Sequence, residues 1–175
     1  MNNGITVVGL DVQKETVVAA VLPPGADRAR EIVTVENRPK AIERLVTRLA
    51  VRGPVACVYE AGPCGYEVQR QLTALGHSCA VVAPALTPVR PGDRVKTDRR
   101  DAEKLARLYR AGELTPIRIP TRAEEAARDV VRVREDVLGD RLRARHRLGK
   151  FLLRQGRVYR ETRSEERRVG KECRL

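Results

Sequence analysis

Two carboxylates three residues apart, Asp98 and Asp101, stand in the run Val95-Lys96-Thr97-Asp98-Arg99-Arg100-Asp101-Ala102, directly after a segment rich in proline and glycine. The spacing puts both on one face of a helix that begins there, with Asp98 as its expected N-cap. Ala102, Leu105, Ala106 and Tyr109 then recur at the i, i+3, i+4, i+7 interval of a buried stripe. Acids in a first helical turn complement the helix dipole and need no further purpose. Two other acids suggest one. Asp11 closes the apolar run 5–10 and Glu60 closes the run 55–59, so each is expected at a strand end. Four carboxylates meeting from two strand ends and one helix start repel one another. Such a cluster is best tolerated around one or two divalent cations, and oxygen-only ligands favour Mg2+ or Mn2+ over zinc. The chemistry this arrangement serves is displacement at phosphorus, where the cations orient a scissile phosphate and steady charge on the attacking and leaving oxygens.

The elements that must hold these acids follow from the pattern of apolar residues. Runs 5–11 and 16–22, parted by Val12-Gln13-Lys14-Glu15, predict an antiparallel hairpin, and 31–35 predicts a third strand after the Pro23-Pro24-Gly25 turn. Asn37 and Pro39 announce a helix with Ile42, Leu45, Val46 and Leu49 inward, ended by Gly53-Pro54. The continuous apolar run 55–59 reads as a central strand covered on both faces, followed at once by the turn Ala61-Gly62-Pro63-Cys64-Gly65. A helix with Val68, Leu72 and Leu75 inward and Gly76 as left-handed cap leads to a strand at 79–83, and 84–96 reads as a loop. The helix carrying Asp98 and Asp101 stops at Gly112. After Pro120, Thr121-Arg122-Ala123-Glu124 is a capping box that opens a long helix. Ala126, Val130, Val133 and Val137 continue it at the alternating spacing of a coiled-coil seam, with an interruption expected at Gly139-Asp140.

Charge divides the chain. Residues 1–89 hold 9 Lys and Arg against 8 Asp and Glu, whereas the remainder holds 26 against 15, so nearly all of the net charge of +12 lies in the second half. Residues 141–160 carry eight Lys and Arg and no acid, among them Arg141, Arg143, Arg145, Arg147, Lys150 and Arg154. A single such arginine is often only part of a solvated helix face. Five turns without one acid point instead to a phosphate polyanion, and Arg94, Lys96, Arg99 and Arg100 beside the acidic cluster would grip the same backbone. Aromatic residues make up 3% of the chain, too few for base stacking to dominate recognition. Cys57, Cys64, Cys79 and Cys173 form no Cys-x-x-Cys pair and lie at no zinc spacing to His77 or His146; Cys57 and Cys79 read as small core residues. The histidines read as surface residues rather than general bases. No apolar run reaches the roughly 20 residues of a membrane span, and the start lacks the pattern of a secretory signal, so a cytoplasmic protein without a membrane partner is expected.

The order β-β-β-α-β-α-β-α, with acids after the first and fourth strands and on the last helix, is that of a ribonuclease H-like α/β fold: a mixed sheet with flanking helices, followed here by the long basic helix. The segments Gly9-Leu10-Asp11-Val12-Gln13-Lys14-Glu15, Tyr59-Glu60-Ala61-Gly62-Pro63-Cys64-Gly65-Tyr66 and Gly92-Asp93-Arg94-Val95-Lys96-Thr97-Asp98-Arg99-Arg100-Asp101-Ala102 resemble the N-terminal, RuvC-like domain of DEDD-type insertion-sequence transposases. That family includes the pilin-gene-inverting recombinases, and the likeness extends through Gly112-Glu113-Leu114-Thr115-Pro116 to cover roughly residues 5–155. The resemblance places the four letters on Asp11, Glu60, Asp98 and Asp101. It implies magnesium (or manganese) binding, DNA strand cleavage and exchange, dimer formation through the helical region, and target choice guided by an RNA that the element encodes.

The same resemblance implies a further domain bearing a serine nucleophile. The only serines, Ser78 and Ser164, sit in no counterpart of that motif, so a C-terminally truncated member that does not complete recombination alone is expected. Arg163-Ser164-Glu165-Glu166-Arg167-Arg168-Val169-Gly170-Lys171-Glu172-Cys173 looks like translated sequencing adapter. The expected organisation is therefore a metal-binding domain at 1–120, a basic helical region at 121–160 and an artefactual, disordered tail at 161–175. Two other classes compete. Sugar and acetate kinases also open on Gly-Leu-Asp, but want glycine directly after the aspartate, where this chain has Val12. A non-catalytic RNA-binding module would leave the acids solvated and make the basic helix the function.

Overall fold

The computed structural model describes residues 4–88 and 97–158. Strands β1 (Thr6–Val12), β2 (Thr16–Leu22) and β3 (Glu31–Glu36) form an antiparallel meander in which Asp11 faces Val18 and Ala20 faces Ile32. β4 (Val55–Glu60) joins the other edge of β1 in parallel, Leu10 beside Tyr59, and β5 (Ser78–Val82) extends the sheet in parallel beyond it. The strand order is β3-β2-β1-β4-β5.

Two helices cover one face. α1 (Pro39–Ala50) and α2 (Glu67–Ala74) direct Ile42, Leu45, Val46, Leu49, Val68 and Leu72 onto Val8, Leu10, Cys57 and Tyr59. α3 (Asp98–Ala111) covers the other face, packing Leu105 and Leu108 on Val58 and Val82, Ala106 on Val7 and Leu22, and Ala102 on Val18 and Ala20. With helices on both sides, every residue of β4 before Glu60 is buried, which is why that strand is apolar without alternation. A meander followed by two parallel crossovers, with the last helix on the opposite face, is the ribonuclease H-like arrangement that the element order predicts.

Local departures have identifiable causes. Thr97, not Asp98, is the N-cap of α3: it takes extended backbone (φ −140°, ψ 141°) and its hydroxyl accepts from the Arg100 N–H at 3.4 Å. Asp98 is thereby the first helical residue. Leu75 lies just past the end of α2, as its C-cap, and is 39% exposed rather than inward. The start of the expected loop at 84–96 is a 3-10 turn, Pro84–Leu86, and 89–96 lies outside the described residues. α3 ends where Gly112 takes φ +75°, its N–H reaching the Leu108 and Tyr109 carbonyls, a conformation that favours glycine.

α3 is tied to the loop between β2 and β3 by side chains that a helical pattern alone would class as solvated. Glu103 Oε1 accepts from the Ala29 N–H at 3.0 Å, while Arg110 donates to the Ala26 carbonyl at 2.8 Å and to the Leu22 carbonyl. Arg110→Ala is expected to cost about 2 kcal/mol, since hydrogen bonds from a charged donor are lost and two carbonyls are left behind. Equilibrium urea unfolding of the chain measures it, and a loss below about 0.5 kcal/mol, the size of an ordinary surface change, would contradict the role.

The chain divides into two compact units, Met1–Ile119 and Pro120–Leu175. In the second, α4 (Arg122–Arg154) starts from the anticipated capping box: Thr121 accepts from the Glu124 N–H at 3.2 Å, and Glu124 accepts from the Thr121 N–H at 2.8 Å. α4 runs unbroken through Gly139 and Asp140, contrary to the interruption expected there; one glycine costs a long helix only about 1 kcal/mol relative to alanine. Thr121→Ala removes the reciprocal cap and is expected to lower helix stability by about 1 kcal/mol, read as a loss of ellipticity at 222 nm on warming. No helix among the described residues is long and apolar enough to cross a membrane.

Candidate metal centre and nucleic-acid interface

Strand register brings the first two acids side by side. Leu10 pairs with Tyr59 across the parallel β1–β4 ladder, so Asp11 and Glu60 follow one residue on, at the carboxyl ends of neighbouring strands that stand about 4.8 Å apart. Both are half-buried. Alternation fixes their face. Val58 packs on α3, and Gly9 meets the α3 backbone, so Glu60 and Asp11, two residues further along each strand, belong to the α3 side of the sheet.

Helix direction brings the other two acids to the same rim. Ala102 lies over Gly9 and Ala106 over Val7, so α3 runs antiparallel to β1 and its first turn lies at the end of the sheet where β1 finishes. Asp98 and Asp101 occupy that turn, Asp101 half-buried and Asp98 exposed. Asp11 accepts from the Gln13 side-chain amide at 3.1 Å, and Asn37 in turn donates to the Gln13 carbonyl at 2.6 Å. Neither amide carries a pattern that marks it in the sequence. Beyond Glu60, the buried Tyr59 hydroxyl donates to the Gly65 carbonyl at 3.1 Å and pins the turn at residues 61–65.

The backbone thus gathers four carboxylate positions at one end of the sheet, but the side chains do not close into a chelate: among the described residues no three His, Cys, Asp or Glu groups approach closely enough to hold a metal ion. The donor set itself is oxygen-only and suits a hard divalent cation. Cys57 and Cys79 are neighbours across β4 and β5, and burial pushes Cys57 up to about 12 and Cys79 upward in the same way, so neither supplies a thiolate near neutral pH.

The expected phosphate contacts fall in three places. Arg99 and Arg100 are exposed on the first turn of α3, next to the acids. Arg94 and Lys96 lie outside the described residues. Arg141, Arg143, Arg145, Arg147, Lys150 and Arg154 all lie on α4, which buries none of its residues. At 3.6 residues per turn, Arg143, Arg147, Lys150 and Arg154 form one stripe, while Val130, Val133, Val137, Leu148 and Phe151 form another about a quarter-turn round the helix. Arg141 and Arg145 fall outside the basic stripe, and Arg143 within it also pairs with Asp140.

The chain is thus an α/β domain of ribonuclease H-like topology with acids on the rim formed by β1, β4 and the start of α3. The family model described as Transposase, that of the IS110 DEDD transposases, matches residues 8–155. This chain belongs to that family. It is 44% identical over 154 residues to a candidate transposase of Sinorhizobium fredii, y4qE, covering 87% of this chain and 40% of the relative. It is 37% identical over 150 residues to the transposase of insertion sequence element IS1533 from Leptospira borgpetersenii, covering 85% and 43%. The chain therefore spans about two fifths of the length of these curated relatives. A solved chain described as T. thermophilus RuvC in complex with Holliday junction substrate aligns with 16% identity and a TM-score of 0.41, covering 65% of this chain and 99% of that one.

Proposed function

We propose that this chain is the metal-binding, N-terminal part of a DNA transposase in which Asp11, Glu60, Asp98 and Asp101 would hold one or two Mg2+ or Mn2+ ions. The observation that carries the proposal is the common rim: adjacent strand ends from β1 and β4, faced by the first turn of an antiparallel α3. Ions bound there supply Lewis-acid stabilisation of charge developing on phosphoryl oxygens. The chain's own residues do the rest. The acids fix where a phosphate can sit, Gln13 holds one Asp11 oxygen, and the exposed Arg99 and Arg100 draw a phosphate backbone across the rim.

The basic stripe of α4 adds sequence-independent grip on DNA or on an element-encoded guide RNA, since each cation released from a phosphate by an arginine contributes to binding irrespective of base sequence. The apolar seam at Ala126, Val130, Val133 and Val137 is proposed as a self-association surface of the full-length protein; these residues have the coiled-coil spacing, and α4 buries none of them. Strand exchange, which needs more than this stretch of the family, is assigned to the full-length protein.

Titrating Mn2+ into the chain while following the paramagnetic resonance of free Mn2+ tests the metal assignment. Saturable binding is expected, abolished by Asp11→Asn and by Asp101→Asn and retained by Glu43→Gln on the exposed side of α1. Equal capacity in wild type and Asp11→Asn would remove the assignment.

A further inference from the structure

Gly9 has no side chain to touch a cation or a phosphate, yet it lies hard against the backbone of α3. A Cβ built on it would stand 1.9 Å from the Ala102 carbonyl oxygen and 2.7 Å from the Ala106 backbone nitrogen. Both contacts are helix backbone, so no side-chain rotation relieves them. Ala102 and Ala106 are themselves fully buried with small side chains, so α3 rides directly on the middle of β1 and β2. Asp101 is the neighbour of Ala102 in the chain, and Asp11 is two residues from Gly9. The depth at which the helix seats on Gly9 therefore sets the gap between the acids of α3 and the acid of β1.

We propose that Gly9 is a positioning residue that fixes the size of the carboxylate site and, through it, the preference for a small cation. This rests on the metal reading of the four acids. A methyl group at position 9 must push α3 back by about 1.5 Å to restore ordinary contact with the Ala102 oxygen. The difference between Mg2+–oxygen and Ca2+–oxygen distances is only about 0.3–0.5 Å, and Mg2+ tolerates far less departure from octahedral geometry. A retreat of that size exceeds what Mg2+ accommodates, whereas Ca2+ takes longer and more varied bonds.

The experiment measures dissociation constants for Mg2+ and Ca2+ on the intact chain by competition against Mn2+, for wild type, Gly9→Ala and Asp11→Asn, with cooperative unfolding followed by circular dichroism. Gly9→Ala is expected to unfold cooperatively and to weaken Mg2+ by about tenfold or more while changing Ca2+ by less than about threefold, because only the smaller ion is held to strict geometry. A folded Gly9→Ala protein with both constants changed equally, or unchanged, overturns the positioning role while leaving the metal reading intact. Wild-type binding that Asp11→Asn does not diminish removes the metal reading itself, and this inference with it. Should Gly9→Ala fail to fold, Ala102→Ser carries the same measurement. It adds one atom at the same seam, its hydroxyl can bond back to a carbonyl of the preceding turn, and the same shift of the Mg2+ to Ca2+ ratio is expected or its absence decisive.

Discussion

Asp11→Asn in a full-length transposase carrying this domain is expected to lower Mg2+-dependent DNA strand cleavage by about a thousandfold while leaving the thermal midpoint of the domain within about 2 °C. The magnitude follows from the Lewis-acid contribution of bound cations, several kcal/mol of transition-state stabilisation at about 1.4 kcal/mol per decade of rate. The selectivity for activity over stability follows from the structure. Asp11 is half-buried near the end of β1 and takes a hydrogen bond from the Gln13 side-chain amide, which Asn can still accept. The core beneath it, Val8 and Leu10 on one face and Val7 and Gly9 against α3, does not involve the carboxylate. Asp101→Asn is expected to behave alike. Strand cleavage that survives either change at more than about a tenth of the wild-type rate would remove that residue from the metal set, because a lost ligand is worth more than one decade.

The second large effect belongs to α4. Replacing Arg143, Arg147, Lys150 and Arg154 together by alanine should flatten the dependence of DNA affinity on salt, reducing the slope of log K against log salt by about 3 to 4. At about 0.1 M salt the same relation corresponds to a loss of roughly a thousandfold in affinity. The four side chains share one stripe of an unbroken helix, so they can track one phosphate backbone at once. The Asp140 partner of Arg143 is exposed and surrenders little when exchanged for a phosphate. Alanine at Arg141 and Arg145, which lie off the stripe, should change the slope by less than half as much. Fluorescence anisotropy of a labelled duplex across a salt series reads both, and equal slopes for the two sets would show that the stripe is not the contact face.

Much of the scaffold was legible because its signals are local. The β-branched runs of β1 and β2, the continuous apolar run of β4 and the stripe through Ala102, Leu105 and Ala106 each state both an element and its buried face. The capping box at Thr121 located the start of α4 for the same reason. Ambiguity arose where two adjacent residues could do one job: Thr97 and Asp98 are both good caps, and only backbone geometry chose the threonine. Gly139-Asp140 does not break α4, because the many residues around it that favour continuing the helix outweigh one local breaker signal.

What stayed hidden depends on contacts distant in the chain. Glu103 and Arg110 look like solvated helix charges until the β2–β3 loop is laid beside them. Gly9 looks like a weak point in a strand until α3 is seen to sit on it. For the acids, strand register and helix direction set the backbone positions, while how closely the carboxyl oxygens approach depends on how deeply α3 seats on β1 and on side-chain rotation, and no local signal encodes either.

The most direct test of the four-carboxylate centre is the anomalous scattering of Mn2+ in crystals of this chain grown or soaked with the ion. A difference peak is expected on the rim, with oxygens of Asp11, Glu60 and at least one of Asp98 and Asp101 at bonding distance. Peaks confined to other surfaces, or a rim that stays empty at saturating Mn2+ while Asp11 and Asp101 point apart, would contradict it.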